Sequence, residues 1–429
     1  MIKQFFISFA LIAGLLFIGC NKDKDKDNNN DTNDLGLGNV TALDLEKIMN
    51  SPFSALTPAQ QKVKLEQESI SLLNALQDVS SLKAIDVFEY FVDLLDMDEP
   101  EVNDPVTESR SGRFDVYTFN ASNSYGVFTW NSSSRVWTKS NSSSELKFVF
   151  PSGSRVSSNN ASMTFKSSDS NASILYEDRY YDERFDIKLP GSVSGILNVD
   201  NTDIAIIEIA AEYEKMDKVE IDDETIDGSF PVKNQFRITT EGYVFWYSLD
   251  GKGNDSRLDM QLVGKSNQKL IETLFHSDVD LGTLVDEVSD DVDNIFDLDF
   301  DVAANGYMKL MDNLVLVYSI DASEFAREID RIESRNLQAK AYNDALTAAY
   351  NRYVKVVLAS TEDGFKIADV IYRSEEDRWY NGSYYETDYY ISPYLEFGDN
   401  SVIEMDTYFS SGFTNLENRW EDFVDAFNR

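Results

Sequence analysis

The sequence predicts an α+β fold in which a large antiparallel β-sheet packs against helices from both ends of the chain. Apolar residues recur at helical spacing near both ends, whereas residues 112–264 alternate apolar and polar positions with a period of two. Ser, Asn and Gly cluster between the short apolar runs of this middle segment, as expected of turns between antiparallel strands. The sheet is predicted to be a meander, which could curl into a half-barrel around the helices.

Five segments are predicted along the chain. Residues 1–19 form a signal peptide and residues 20–40 a disordered tether. Residues 41–110 form a helical segment, residues 111–265 an antiparallel β meander, and residues 266–429 further helices, β-hairpins and a C-terminal helix. We expect the last three segments to pack as one unit, because 42% of the residues are hydrophobic and can fill a substantial core.

The helical segment contains two predicted helices. Thr57, Pro58 and Gln60 give the first helix an N-cap, a proline at its first position and a capping box. Its predicted apolar face holds Val63, Ile70, Leu73 and Leu76. The second helix carries Ile85, Phe88, Val92 and Leu95 at a period near 3.6 and stops in the acidic segment 96–105. The pair is typical of a helical hairpin that packs on another element.

Short strands follow in the predicted β meander. Residues 127–130 and 135–138 flank a polar turn and predict a β-hairpin. Further strands are predicted over residues 146–150, 161–166, 174–180, 185–189, 204–209, 244–249 and 258–263. The sequence therefore predicts a sheet of eight or more strands.

The C-terminal segment mixes both kinds of element. Helices are predicted over residues 267–296 and 323–350, and residues 307–318 between them fit a strand or a buried helix equally well. Two further strand pairs are predicted, 354–358 with 366–372 and 389–397 with 402–408. The chain ends in a predicted amphipathic helix with a capping box at 414–417, which we expect to dock on the fold.

Charge and rare residue types exclude several function classes. The 38 basic and 76 acidic residues give a net charge of −38, so the chain repels a phosphate backbone and we expect no nucleic-acid partner. The single cysteine, Cys20, cannot form an intramolecular disulfide. With only one histidine, His276, the chain has no Cys/His zinc site or cysteine–histidine dyad, and His276 is expected to be a surface or capping residue near a helix end. No cofactor is predicted.

The first twenty residues resemble the signal sequence of a bacterial lipoprotein. Lys3 supplies a positive charge, residues 5–19 are largely apolar, and Cys20 follows Gly19 directly. The stretch is shorter than the roughly 20 apolar residues of a membrane span. The arrangement is similar to a lipobox, with Phe17 where leucine is usual, and implies cleavage by signal peptidase II between Gly19 and Cys20 and lipid, palmitate included, on Cys20. A conventional signal peptide that ends beside a cysteine is the alternative.

Composition extends this resemblance beyond the signal sequence. The chain, rich in Asn, Lys, Asp and Tyr, resembles the many uncharacterised lipoproteins of the Bacteroidota, which implies an outer-membrane, lipid-anchored location. Residues 22–27 alternate Lys and Asp and are similar to the export signal of surface-exposed lipoproteins in that phylum, which favours the cell surface over the periplasm. The resemblance carries over no functional residue except Cys20.

An acidic segment is a candidate cation site. No Lys or Arg occurs between Lys269 and Lys309, and residues 278–301 hold ten carboxylates: Asp278, Asp280, Asp286, Glu287, Asp290, Asp291, Asp293, Asp297, Asp299 and Asp301. Clustered carboxylates could supply the six to eight oxygen ligands of Ca²⁺. Apolar residues interleave at helical spacing, however, so the preferred interpretation is a helix with an acidic solvent face. The ligand spacing of an EF-hand loop is missing both here and in residues 250–261.

Two aromatic clusters allow two interpretations. One contains Phe119, Tyr125, Phe128, Trp130 and Trp137, and the other contains Trp379, Tyr380, Tyr384, Tyr385, Tyr389, Tyr390 and Tyr394. Flat aromatic faces beside carboxylates could bind sugar rings, but Tyr and Trp also pair well across a sheet. The alternation of Phe128 with Trp130, and of Tyr389 with Ile391, favours cross-strand packing.

The sequence thus predicts a non-enzymatic binding or interaction module, attached to the outer membrane through Cys20, with its protein, glycan or lipid ligand left open. One alternative is a carrier that holds an apolar ligand in a half-barrel cavity. Another is a carbohydrate-processing hydrolase with two carboxylates roughly 5 to 9.5 Å apart. The sequence assigns no catalytic and no metal-binding residue.

Overall fold

A computed structural model of the chain confirms the α+β class. It describes residues 35, 37, 42–98, 107–111, 114–119, 124–221, 224–251, 255–278, 304–311, 313–362, 364–380 and 384–410. Within these residues lie one 18-stranded sheet and six α-helices, α1 Leu45–Met49, α2 Pro58–Leu76, α3 Lys83–Met97, α4 Ala322–Glu333, α5 Ala339–Tyr353 and α6 Met405–Ser410. The strands are β1 Thr107–Ser111, β2 Phe114–Phe119, β3 Gly126–Asn131, β4 Val136–Ser140, β5 Leu146–Phe150, β6 Ala161–Asp178, β7 Glu183–Val199, β8 Thr202–Ile221, β9 Glu224–Thr240, β10 Tyr243–Asp250, β11 Ser256–Val263, β12 Lys269–Ser277, β13 Ala304–Leu310, β14 Leu314–Ile320, β15 Val354–Ser360, β16 Phe365–Tyr380, β17 Tyr385–Glu396 and β18 Val402–Glu404.

The predicted meander is the backbone of the sheet. From β5 to β18 each strand pairs antiparallel with the next along the chain. The β3–β4 hairpin forms as predicted, with Trp130 opposite Trp137. Two parallel pairings, β3 with β5 and β2 with β7, make the sheet mixed. Strands of the predicted segments 111–265 and 266–429 therefore belong to one sheet.

Two long hairpins, β6–β7 and β8–β9, exchange partners along their length. Residues 192–199 of β7 pair with residues 202–210 of β8. Beyond this region the second pairing is between β6 and β9, where residues 174–178 lie opposite residues 224–228. Pro190 lies beside the exchange, and a proline has no N–H to donate to a neighbouring strand. The runs 161–166 and 174–180, predicted as separate strands, are two halves of β6, since register shifts between them let one strand bend.

Helix α2 begins where the sequence predicts. Gln60 N–H donates to Thr57 Oγ1 (3.4 Å) and Thr57 N–H donates to Gln60 Oε1 (2.9 Å), which completes the capping box. The predicted apolar face is wrong at Val63, which is 53% exposed, whereas Gln61 and Leu65 are buried. Leu65 lies about 200° around the helix from Val63, and the helix turns the Leu65 side towards the sheet.

The main hydrophobic core lies on the side of the sheet that α3 covers, which we call the helical face; Phe236 and Tyr247 point to it. Phe91 of α3 stacks on Phe150 with ring centroids 4.8 Å apart and also contacts Phe148. Further members of this core are Val87, Leu94, Phe128, Trp130, Trp137, Met163, Leu197, Val199 and Ile207. Burial of each large apolar side chain contributes roughly 1.5–3 kcal/mol, so this cluster fixes the predicted second helix on the meander.

The opposite side of the sheet, which we call the polar face, carries Arg237, Trp246, Gln261 and Glu272 opposite one another on β9 to β12. Part of it is covered by the chain around α1. Leu37, Leu43, Leu45, Ile48 and Met49 pack there against a cluster that includes Leu274, Tyr307, Val315, Val317 and Val357. Helical segments therefore cover both sides of the sheet.

The predicted helix 267–296 is wrong over its first part, because Lys269–Ser277 is strand β12 between β11 and β13. Leu270, Glu272 and Leu274 are buried and alternate with partly exposed residues. Apolar residues also occupy intervening positions, since both faces of a central strand are covered, and this conceals the period of two. The remainder, residues 279–296, lies outside the described residues.

The structure also revises the predicted elements between residue 307 and residue 408. Residues 307–318 belong to the β13–β14 hairpin, which decides the open choice in favour of strands. The predicted helix 323–350 is two helices, α4 and α5, and Asn336 between them has a left-handed φ of 48°. Residues 402–408 form only a short strand before α6 begins at Met405. The predicted terminal helix with its cap at 414–417 lies outside the described residues, among which no helix has the length and apolarity to cross a membrane.

Candidate functional site

A row of polar side chains crosses eight consecutive strands on the polar face. In the backbone register each member stands directly opposite the next, which places neighbouring Cβ atoms roughly 5 Å apart. From β8 to β15 the members are Glu212, Lys233, Asp250, Arg257, His276, Asn305, Ser319 and Lys355. Acidic and basic residues alternate over the first four positions, so the row is locally balanced in a chain with a net charge of −38.

Two buried carboxylates, Asp259 and Glu272, lie beside this row, and each accepts hydrogen bonds from neighbouring side chains. Arg257 donates two hydrogen bonds to Asp259, of 2.8 and 2.9 Å, and this pairing raises the pKa of the Arg257 guanidinium. The side chain of Glu272 is 4% exposed and accepts from three groups. These donors are Lys269 Nζ at 2.6 Å, Gln261 Nε2 at 2.8 Å and the Tyr307 hydroxyl at 3.2 Å. Buried charges need such partners to replace lost water, so we interpret this network as a rigid support.

The part of the chain that precedes α2 covers this hydrogen-bond network around Glu272. The Leu35 N–H donates to Gln235 Oε1 at 2.9 Å, and Ile48 and Met49 belong to the cluster around Tyr307. Tyr307 is fully buried, and burial, followed by the negative charge of Glu272, raises the pKa of its hydroxyl. The covering chain therefore keeps the Tyr307 hydroxyl away from water, beside the Glu272 carboxylate to which it donates.

A cleft of about 700 Å³ opens where α1 meets α5 and strands β13 to β17. Its lining consists of Leu45, Glu46, Met49, Asn50, Asn305, Ser319, Asn351, Lys355, Val356, Val357, Lys366, Asp369, Val370, Ile371 and Glu396. Nine of these fifteen residues are polar or charged. The polar row thus ends in this cleft, because Asn305, Ser319 and Lys355 belong to both.

Several polar groups of the cleft have no partner within the described part of the chain. The side chains of Asn305 and Ser319 are half-buried and make no hydrogen bond to another described residue. The carboxylates of Glu46 and Glu396 make no ion pair there either. Half-buried polar groups without a protein partner bind water or a ligand. The cleft is therefore the candidate binding site.

Hydrogen bonds hold the walls of the cleft in place. Asn351 pairs with the backbone of Tyr372 in both directions, since its Nδ2 donates to the carbonyl and its Oδ1 accepts from the N–H, each at 2.7 Å. Lys366 Nζ donates to both carboxylate oxygens of Asp369, at 2.8 and 3.0 Å, and lies 4.3 Å from the ring centroid of Phe53. Fixed walls reduce the entropy cost of binding.

The structure places only some of the residues that the sequence singled out. Gly19 and Cys20 lie outside the described residues, as do 279–301 of the acidic segment. His276 is not near a helix end but on β12 in the polar row, where its Nε2 lies 3.6 Å from a carboxylate oxygen of Asp255. Among the described residues, no group of three or more His, Cys, Asp or Glu could hold a metal ion.

The two aromatic clusters have different environments. Phe128, Trp130 and Trp137 are buried in the core of the helical face, as the cross-strand interpretation predicts. In the other cluster Trp379, Tyr380, Tyr384, Tyr385 and Tyr390 are exposed at the outer end of the β16–β17 hairpin. The core therefore accounts for Phe128, Trp130 and Trp137, but not for the five exposed members of the second cluster.

Comparisons of the chain with protein-family models, with curated proteins and with solved structures found no match. The candidate site therefore rests on geometry alone. Sequence reasoning missed Asn305 and Ser319, which flank the segment 307–318, because that segment fits a strand or a buried helix equally well and its faces could not be assigned. The available signal was their period-two relation to Tyr307 and Val317, which puts them on the same side of β13 and β14.

Proposed function

We propose that the protein is a non-enzymatic binding module of the bacterial cell envelope, anchored by lipid on Cys20, that holds a small polar ligand in the cleft between α1 and β13–β17. The observation that carries this proposal is the set of unpartnered polar groups on its walls, from Asn305, Ser319 and Glu396. A cleft of about 700 Å³ is of the size that small-molecule sites have.

The lining favours a polar ligand over the apolar one of a carrier. An acyl chain would cover the side chains of Asn305, Ser319 and Glu396, which have no partner in the described chain, at a cost of roughly 1–3 kcal/mol for each group that loses water. Lys355 supplies a positive charge, and Glu46 and Glu396 supply negative ones. A zwitterionic or polyhydroxylated molecule would satisfy both signs.

Native mass spectrometry of the mature protein, purified from its host, tests the ligand. We expect a stoichiometric polar small molecule, and its loss in Asn305→Leu, which keeps the branched shape of the side chain but removes the hydrogen-bonding groups. Thr164→Val is the matched control, since Thr164 is half-buried on β6, away from the cleft. An acyl-chain ligand, or a ligand retained by Asn305→Leu, would contradict the proposal.

Metabolic labelling with a palmitate analogue tests the anchor separately. Cys20→Ala should abolish the label and release the protein from the membrane fraction, whereas Ser8→Ala in the same leader should change neither. Label that persists in Cys20→Ala would refute lipid attachment at this residue. Protease treatment of intact cells then distinguishes surface display, which we propose, from a periplasmic location.

A further inference from the structure

The outer part of the β16–β17 hairpin is a two-stranded ribbon to which no third strand of the described chain pairs. Strand β15 pairs with β16 only as far as Val370, and β18 pairs with β17 only from Tyr394. Beyond that point Asn343 of α5 binds Ser374 Oγ and the Tyr390 carbonyl, at 2.8 and 2.9 Å. The outermost strand residues, 375–380 and 385–390, form β-sheet pairs only with each other among the described residues.

One face of this ribbon has two exposed aromatic rings with carboxylates between them. The register places Trp379 opposite Glu386, Asp377 opposite Asp388 and Glu375 opposite Tyr390, and these three pairs alternate with pairs that point the other way. Trp379 is 42% exposed and Tyr390 47%. Four residues of strand separate the two positions, which is about 13 Å at ~3.3 Å per residue.

The central pair of this face is unfavourable for the fold. Asp377 and Asp388 stand directly opposite each other, and like charges in that position destabilise a sheet. Neither aspartate has a basic partner in the described chain. Arg378 points to the other face and stacks on Tyr385 at 4.7 Å, and Arg373 stacks on Tyr394 at 4.8 Å. Asp388 instead accepts a hydrogen bond from Trp379 Nε1 at 3.2 Å. A local arrangement that opposes stability is a mark of a functional surface.

We propose that this face binds a neutral polysaccharide chain, with one sugar ring on Trp379, another on Tyr390, and hydroxyl groups between them on Asp377 and Asp388. The C–H-bearing face of a pyranose stacks on an aromatic ring, and a carboxylate accepts hydrogen bonds from sugar hydroxyls. The net charge of −38 disfavours an anionic glycan. Protein interfaces are depleted of charge at their centre, whereas this face has two carboxylates there, which favours a glycan over a protein partner. The inference does not depend on the cleft.

Affinity electrophoresis of the full-length mature protein in gels that contain mannan, xylan or a soluble β-glucan tests the proposal, with alginate as the anionic comparison. We expect retardation by at least one neutral glycan. Trp379→Ala and Tyr390→Ala should each weaken it about tenfold, the effect of losing 1.4 kcal/mol of ring contact. Tyr180→Ala is the matched control, because Tyr180 is 75% exposed at the end of the β6–β7 hairpin. It should leave retardation unchanged.

Asp377→Asn separates a binding role from a structural one. Removal of one charge relieves the repulsion with Asp388, so the melting temperature should rise while glycan retardation falls. A variant that merely damaged the hairpin would lower both. Absence of retardation by every neutral glycan, retardation by alginate alone, or retardation that Trp379→Ala leaves intact would each overturn the proposal.

Discussion

Tyr247 and Tyr307 are both buried, yet loss of the hydroxyl should change stability in opposite directions. The Tyr307 hydroxyl donates to Glu272 Oε1 at 3.2 Å. The Tyr247 hydroxyl is buried in the helical-face core without a hydrogen-bond partner in the described chain. Tyr→Phe removes one oxygen in each case and leaves the ring in place, so the two variants are matched controls for each other.

The expected magnitudes follow from these environments. Tyr307→Phe deprives a buried carboxylate of one of three donors and should cost about 1.5–3 kcal/mol of unfolding free energy, the range for a hydrogen bond to a charged group. Tyr247→Phe removes a hydroxyl that loses its water on folding and forms no hydrogen bond within the described chain. It should raise the unfolding free energy by about 1 kcal/mol.

Urea unfolding, followed by tryptophan fluorescence at pH 7, measures both differences, and an unchanged m-value shows that the unfolded state is unaffected. Alkaline pH adds a second readout. Burial raises the pKa of Tyr247 to about 12, from a usual value of about 10. A raised pKa contributes stability that is present below pH ~10 and is lost as the pH rises to ~12, so about 2 to 3 kcal/mol should disappear over this interval. Tyr247→Phe should lack this part of the decline.

A stability loss of more than about 1 kcal/mol in Tyr247→Phe would refute the reasoning, because it would show that the hydroxyl has a favourable partner. An unchanged unfolding free energy in Tyr307→Phe would refute it too, because Glu272 would then not need its third hydrogen-bond donor. If the unfolding free energy fell equally with alkaline pH in wild type and Tyr247→Phe, the Tyr247 hydroxyl would have the same pKa in the folded and unfolded states.

Two further predictions concern packing. Phe91→Ala should lower the unfolding free energy by about 3–5 kcal/mol in urea titration, since it empties a site among stacked aromatic rings, whereas Val63→Ala on the exposed side of α2 should cost less than about 0.5 kcal/mol. Equal effects would contradict the assignment of the core. Gly306→Ala should reduce soluble yield and melting temperature, because its Cβ would overlap the backbone oxygen of Leu274. A melting temperature like that of wild type would show that β13 can shift.

Local signals in the sequence predicted much of the fold. The capping box at Thr57 involves only neighbouring residues, and the β3–β4 hairpin has a polar turn between two alternating runs, so both were predictable. Strand β12 was not, because a strand covered on both sides loses the alternation that identifies it. The extra length of β6 also depends on pairing with β9, which no local pattern encodes.

The candidate site was much less predictable. Its walls come from α1, β13, β14, α5 and the strands that follow, and single polar residues from separate elements carry no common spacing. Asn305 and Ser319 look ordinary in the sequence and become informative only when the register places them side by side. The second aromatic cluster was noticed, but whether a tyrosine is core or surface depends on where the neighbouring strand ends.

Contacts between the beginning and the end of the described chain have a consequence for the order of folding. Phe53 forms a bridge with Lys366, and the Tyr408 hydroxyl donates to the Pro58 carbonyl at 3.0 Å, across 350 residues. Helices α1 and α2 are synthesised early, but the strands they contact are synthesised late. Until those strands have been synthesised, the apolar sides of these helices lack their native partners, which slows folding and exposes the chain to aggregation. We therefore expect a chaperone that holds the early helices to raise the folding yield more than one that acts after the last strand has emerged.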